Sequence, residues 1–379
     1  MTYENYFPRG IASESAFCNR IAERKKLLNN IETGQHTLLI SPRRYGKTSL
    51  VNYVVKDSNL PVGDADLFVA VDARHIEQRI LAGIKMAMHT LYSSTEQLLR
   101  SLRDYFQTIN NQWIIGTQGI SLVMTPGSKE SDPATNIMEA LLALEHLLSK
   151  KQKRGVIFLD EMQEIGVVAE GQGIEGAIRH VAQKSKYLVF IFSGSNRHLL
   201  SHMFYDKARP LYKLCDRINL ERISQIDYTN HLNLLSKKKW KTDLPSESIK
   251  KIFELTECHP YYMNTLCLRL WESNVKTTPT VTDIIKTWLD IAKEERLEIA
   301  RELSSLSLGQ KKILISIAAG FSTQLTGKAF LNRVNMTGSS VSSLLQSLEQ
   351  KDYVEKQDKE YVFIDPLVKT TLNLYFGEE

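Results

Sequence analysis

A chain of 379 residues is too long for one ordinary hydrophobic core and calls for two or three domains. Its 42% hydrophobic and 24% charged residues are ordinary for a soluble globular protein, and no apolar run approaches the roughly 20 residues of a membrane-spanning helix. The net charge of +5 is modest and unevenly placed: from Arg301 onward nine Lys and Arg face nine Asp and Glu, so the surplus belongs to the first 300 residues.

Met1–Asn5 lacks the basic and then apolar pattern of a signal peptide. Cys18, Cys215, Cys258 and Cys267 show no metal-ligand or redox spacing and read as buried free thiols of a cytoplasmic protein. Basic clusters at Arg24–Lys26, Lys150–Arg154 and Lys237–Lys241 read as solvated faces ahead of nucleic-acid contacts.

In chain order, Gln35–Ile40 reads as a short buried strand, followed by a loop and a helix over Thr48–Val55. A second strand is expected at Leu67–Asp72, with Asp72 at its end. Helical spacing through Ile80, Ile84, Met88 and Leu91 then leads to a polar stretch, Asn110–Pro133, expected to be a loop or mobile insert. Asp132 and Pro133 supply the cap and first turn of a helix to Lys150. Gly155–Asp160 is an apolar strand ending in a carboxylate, and Leu188–Ser193 is another ending in hydroxyls. Strands alternating with helices, with polar residues at the strand ends, predict an open parallel α/β sheet. Beyond Leu220 the pattern is helical to about residue 300. Helices at Leu308–Ala319, Lys328–Val334 and Ser339–Gln350, then a hairpin over Tyr353–Phe363, spell a winged helix-turn-helix.

The loop Ser41-Pro42-Arg43-Arg44-Tyr45-Gly46-Lys47-Thr48-Ser49 carries phosphate-binding chemistry. Gly46 permits a tight backbone at a helix N-terminus, Lys47 reaches outer phosphates, and the Thr48 hydroxyl is a candidate Mg²⁺ ligand. Ser41 stands where the common pattern has its first glycine. An apolar strand ending in Asp160-Glu161 supplies the complementary half. Asp160 would hold Mg²⁺ through water, and Glu161 would orient and deprotonate an attacking water. His198 and His202, four apart on a helix, lack a third metal ligand and read as a surface or lid-facing helix.

Together these residues resemble the archaeal-type ATPases of the signal-transduction (STAND) group related to AAA+ proteins. Phe17–Glu23 is similar to that group's N-terminal motif, with Arg20 in the arginine position and Asn19 replacing a glycine. Pro42–Leu50 is similar to its arginine-bearing loop, Leu159–Glu164 to its Asp-Glu-x-Gln motif, and Ser193–Asn196 to its sensor segment. Arg209–Tyr212, Cys258–Tyr262 and Phe363–Leu367 match later landmarks. The resemblance implies a parallel-sheet P-loop NTPase core over residues 1–220, a helical lid over 221–300 and a winged helix-turn-helix over 301–379. It implies ATP and Mg²⁺ as cofactors; the loop chemistry alone does not separate ATP from GTP. It also places Ser193 in the catalytic set and His259 and Pro260 at the nucleotide. His259 could equally serve only as a cap before Pro260. Lys213-Leu214 replaces the family's Gly-Arg, so the charge stabilising the transition state falls to Arg209 first and Arg197 second. A tie between sensor loop and lid is the other role open to Arg209.

On the third winged-helix helix, Val341, Leu344, Leu345 and Leu348 form the apolar face. Ser339, Ser340, Ser342, Ser343 and Gln346 are left exposed, with no cation among them to hold phosphates. A protein effector, self-association or packing on the ATPase is therefore expected ahead of DNA. The expected function is Mg-dependent ATP hydrolysis as a conformational switch. An ATP-controlled DNA-binding regulator or loader is the alternative.

Overall fold

The computed structural model describes residues 6–12, 16–18, 20–56, 58–92, 94–108, 113–118, 121–126, 132–273 and 276–376. Met1–Asn5 and Asn19, singled out in the sequence, lie outside them. Two compact units are formed: residues 20–43 with 47–220, and residues 1–19 and 44–46 with 221–379.

In the first unit, the chain runs α1 (Ile21–Thr33), β1 (Thr37–Ile40), α2 (Lys47–Lys56), β2 (Val62–Asp66), α3 (Ala73–Leu91) and α4 (Thr95–Thr108). It continues through β3 (Trp113–Gln118), β4 (Ser121–Pro126), α5 (Pro133–Lys151), β5 (Gly155–Asp160) and α6 (Gln163–Val168). α7 (Ile174–Lys184), β6 (Leu188–Gly194), α8 (Arg197–Tyr205) and β7 (Asp216–Asn219) complete it. Five strands form a parallel sheet in the order β2-β5-β6-β1-β7. Every residue of β5 and β6 is buried, as strands covered on both faces must be. Alternate residues Leu38 and Ile40, Ile157 and Leu159, and Phe190 and Phe192 share one core with α3, α5 and α7. Buried His36 fixes the start of β1: its Nδ1 accepts from Phe190 N at 3.1 Å and its other ring nitrogen meets Ala182 O at 2.9 Å.

Two expectations are corrected. The second strand is Val62–Asp66, not Leu67–Asp72. Phe68, Val69 and Val71 are exposed, Leu67–Ala70 closes a turn, and Asp72 caps α3 by accepting from His75 N at 2.8 Å. The true strand hides behind a glycine and two carboxylates, because Gly63 lets α3 approach: a Cβ there would meet Gly83 O at 2.2 Å. The Asn110–Pro133 stretch contains the antiparallel hairpin β3–β4, paired from Trp113↔Pro126 to Gln118↔Ser121. Trp113 anchors it, stacking on Phe106 and donating to Glu139 Oε2 at 2.7 Å. The α5 cap is as expected, Asp132 accepting from Thr135 N.

The second unit is helical. α9 (Gln225–Trp240), α10 (Ser246–Thr256), α11 (Pro260–Ser273) and α12 (Val281–Ser304) precede α13 (Leu308–Ala318), α14 (Lys328–Val334) and α15 (Gly338–Gln350). The hairpin β8 (Val354–Gln357) and β9 (Glu360–Phe363) and a final α16 (Pro366–Phe376) follow. One hydrophobic core runs through all of it, centred on the buried Trp271 and Trp288. Capping boxes at Thr280/Asp283 and Ser307/Gln310 start α12 and α13, and α12 runs unbroken through residue 300. Val341, Leu345 and Leu348 of α15 are buried, while Ser339, Ser340, Ser342, Ser343 and Gln346 are exposed, as the spacing predicts.

Two glycines test this packing in opposite directions. Gly63→Ala should cost about 1–3 kcal/mol through the clash with α3. Gly176→Ala, inside α7 with nothing within 4 Å of a new Cβ, should add about 0.5–1 kcal/mol. Urea denaturation of both variants measures the contrast.

Candidate functional site

The order β5-β6-β1 sets the C-terminal ends of three strands side by side. β1 leads into the loop at Ser41, β5 ends on Asp160, and β6 carries Ser193 and Gly194 between them. Thr48, in the first turn of α2, donates to Asp160 Oδ2 at 2.7 Å, and Ser193 donates to Oδ1 of the same carboxylate. Hydroxyl and carboxylate oxygens converging in this way are the hard donors that suit Mg²⁺.

Lys47 is buried and curls back over its own loop, donating to Ser41 O at 3.1 Å and Pro42 O at 3.0 Å. Gly46, at φ +88°, takes the left-handed conformation that turns the chain into α2. Ser41 is buried and its hydroxyl bonds Pro42 O at 3.1 Å. Ser49 is buried in the first turn of α2. Arg43 donates to Ser195 Oγ at 3.2 Å.

Glu161 sits at φ +52°, a left-handed conformation unusual for glutamate. Its Oε2 accepts from Gln163 Nε2 at 2.6 Å, Ser195 Oγ at 2.8 Å and Ser195 N at 3.0 Å. Burial alone would raise its pKa. The donors from Gln163 and Ser195, with the charge of Lys47, outweigh burial and hold the carboxyl below its usual range. Gln163 and Ser195 belong to motifs visible in the sequence, but their grip on Glu161 was not foreseen. Asp64 was also missed. It lies on β2 opposite Phe158, two pairs before Asp66↔Asp160. Loss of hydration, then the charges of Asp160 and Asp66, push its pKa up to about 6.

The structure thus gathers Ser41, Pro42, Lys47, Thr48, Asp160, Glu161 and Ser193, with Arg43 joined through Ser195. Two other candidates have partners elsewhere. Arg20 pairs with Glu23 at 3.2 Å. Arg209 is bound by Glu170 at 2.8 Å and, more closely, by Glu175. His202 faces Asp206, and the described residues contain no cluster of three or more potential metal-ligating His, Cys, Asp or Glu side chains.

Arg44 and Tyr45 group with the helical unit. Arg44 lies 4.2 Å from the centre of the Tyr261 ring, and Tyr45 packs edge-on against His259 at 4.8 Å. Buried His259 precedes Pro260, the first residue of α11, and its Nδ1 has no partner among the described residues. Burial, then the charges of Arg222 and Arg44, push its pKa down to about 3, so the ring is neutral. Arg222 binds the Glu257 carboxylate at 2.6 Å, Phe363 O at 2.7 Å and the Tyr45 hydroxyl at 3.4 Å. Asp365 accepts from Tyr262 Oη at 2.5 Å and caps α16 through Leu367 N at 2.8 Å. The Asp-Pro segment singled out in the sequence is thus a helix start pinned to α11.

This is the fold of a P-loop ATPase core with a C-terminal winged helix. The family described as "Probable winged helix domain" matches residues 300–373. Among solved structures, the chain is similar to the Walker-type ATPase of Pyrococcus abyssi, at 17% identity and a TM-score of 0.69, over 95% of this chain and 97% of that one. It is also similar to the Aeropyrum pernix ORC2 protein in its ADPNP–ADP complexes, at 15% identity and a TM-score of 0.58, over 100% and 99% of the two chains. At such identities the likeness is one of fold. A comparison with curated proteins finds no match. No helix among the described residues is long and apolar enough to cross a membrane.

The raised Asp64 pKa makes a signed prediction. Its folded value near 6 lies above the ordinary 3.8, so its contribution to stability is complete below about pH 4 and is lost as pH rises through 6. Asp64→Asn should leave Tm nearly unchanged at pH 4. At pH 8 it should raise Tm by roughly 2–4 °C, for about 1 kcal/mol after discounting for solvent screening. Thermal denaturation at both pH values checks it.

Proposed function

We propose that the protein binds and hydrolyses ATP with Mg²⁺ and uses the cycle as a conformational switch that gates a partner protein or its own assembly. The observation that carries this reading is the convergence of Thr48 and Ser193 on Asp160, beside Lys47 and Glu161. A structural anion pocket has no need of a carboxylate poised beyond the metal-binding one.

In this reading Lys47 leaves the Ser41 and Pro42 carbonyls and pairs with the outer phosphates, while the backbone of residues 41–49 cradles them. Thr48 and Asp160 would hold Mg²⁺, Asp160 through water, and the metal would supply positive charge that offsets the negative charge developing on the transferred group. Glu161 takes the proton of the attacking water once it turns from Ser195 and Gln163; until then those donors keep it ionised and parked. Ser193 orients Asp160. His259, neutral and with Nδ1 open to a donor, and Pro260 are proposed at the nucleotide. The ion pairs of Arg209 with Glu170 and Glu175 stay within the core (1–220), so they do not tie it to the lid and they leave its charge engaged; Arg197 then becomes the first arginine to test.

The switch reading divides the chain as core (1–220), lid (221–300) and winged helix (301–379). Arg222 supports it, because one guanidinium holds Tyr45 of the loop, Glu257 and the end of the wing hairpin. DNA control through α15 stands second, since the exposed face of that helix offers hydroxyls and an amide but no cation.

Phosphate release by wild type and variants tests the reading. Slow basal turnover should fall by roughly a hundredfold or more in both Lys47→Ala and Glu161→Gln. Undiminished turnover in both would refute it. Adding duplex DNA separates the alternatives: nucleotide-dependent, salt-sensitive DNA affinity would favour the regulator or loader.

A further inference from the structure

A groove of about 450 Å³ lies between α12, α13 and α16 of the helical unit. Its floor is apolar, with Ile299, Leu303, Leu314 and Leu372 all buried. Its rim is cationic. Arg296 on α12 lies 5.0 Å from the centre of the Tyr375 ring, and Lys311 on α13 is half-buried; among the described residues neither forms an ion pair. Beside them Tyr375 and Phe376 stay 40% and 56% exposed. In the wall, Thr371 is buried, and its Oγ1 has no hydrogen-bond partner among the described residues.

We infer that this groove docks an acidic amphipathic helix of a partner protein. The inference rests on the reading that the switch acts on a protein, and it supplies the surface and the chemistry of that partner. A volume of this size accommodates several large side chains, and three flanking helices present a trough of the kind that takes apolar anchors spaced i, i+3/i+4, i+7. Two rim cations with no ion pair among the described residues favour Asp or Glu beside those anchors, and set the register of docking. The Thr371 hydroxyl offers a bond to one polar group that reaches the wall, where leaving it unmade is costly. Nucleic acid fits poorly, because it has nothing to cover the apolar floor.

The test is selection from a phage-displayed library of helix-biased peptides against the full-length protein without nucleotide, with the Ala300→Trp variant for counter-selection. Ala300 lines the groove yet is exposed, so the indole fills the trough without entering the core. Enriched peptides should be net acidic with apolar residues at helical spacing. They should bind at least about tenfold more weakly to Ala300→Trp and to the Arg296→Glu/Lys311→Glu double variant. Binding should persist in Lys47→Ala, so failure of hydrolysis and failure of docking are read separately. Three results would overturn the inference. These are no peptide that distinguishes wild type from Ala300→Trp, discriminating peptides that are basic or lack the spacing, or self-association of wild type that Ala300→Trp abolishes. The last would make a second copy the occupant.

Discussion

Asp160 accepts from Thr48 on one side and Ser193 on the other, and this pair of hydrogen bonds to one carboxylate depends on a single topological fact. β6 lies between β1 and β5. A parallel sheet delivers the C-terminal end of every strand to the same edge. Inserting the hydroxyl-bearing strand between the loop strand and the carboxylate strand therefore puts three unlike polar groups within reach of one another. The wholly apolar bodies of β5 and β6 make that edge rigid, because each is covered on both faces and fixed in register by its neighbours.

The same edge concentrates negative charge. Asp66 pairs with Asp160 across β2 and β5, and Asp64 lies two residues before Asp66; their charges add to the loss of hydration that chiefly raises the Asp64 pKa. Such an arrangement destabilises the chain by itself and becomes favourable when a divalent cation is present. Glu161 is managed differently. The donors from Gln163 and Ser195, with the charge of Lys47, hold its carboxyl below the usual range in spite of burial.

Much of this was legible in the sequence wherever the signal is local. The Gly46–Thr48 turn, the apolar run ending at Asp160, the Asp132–Pro133 helix start and the α15 apolar stripe each declare themselves within a few residues. β2 did not, because Val62–Asp66 holds one glycine and two carboxylates where a buried strand usually holds apolar residues. The more apolar Leu67–Val71 beside it drew the assignment instead. The β3–β4 hairpin was masked by its polar, glycine-bearing surroundings. Contacts between distant positions were also out of reach. Arg222 meets residues 45, 257 and 363, and Ser195 meets Glu161, through the fold alone.

The central claim is that these residues form a Mg²⁺-dependent nucleotide site with Lys47 as its anion contact. Calorimetric titration of the full-length protein with a non-hydrolysable ATP analogue, with and without Mg²⁺, tests it most directly. The account predicts one-to-one binding that weakens by at least about tenfold when Mg²⁺ is removed and again in Lys47→Ala. Equal affinity in wild type and Lys47→Ala, with or without the metal, would contradict it.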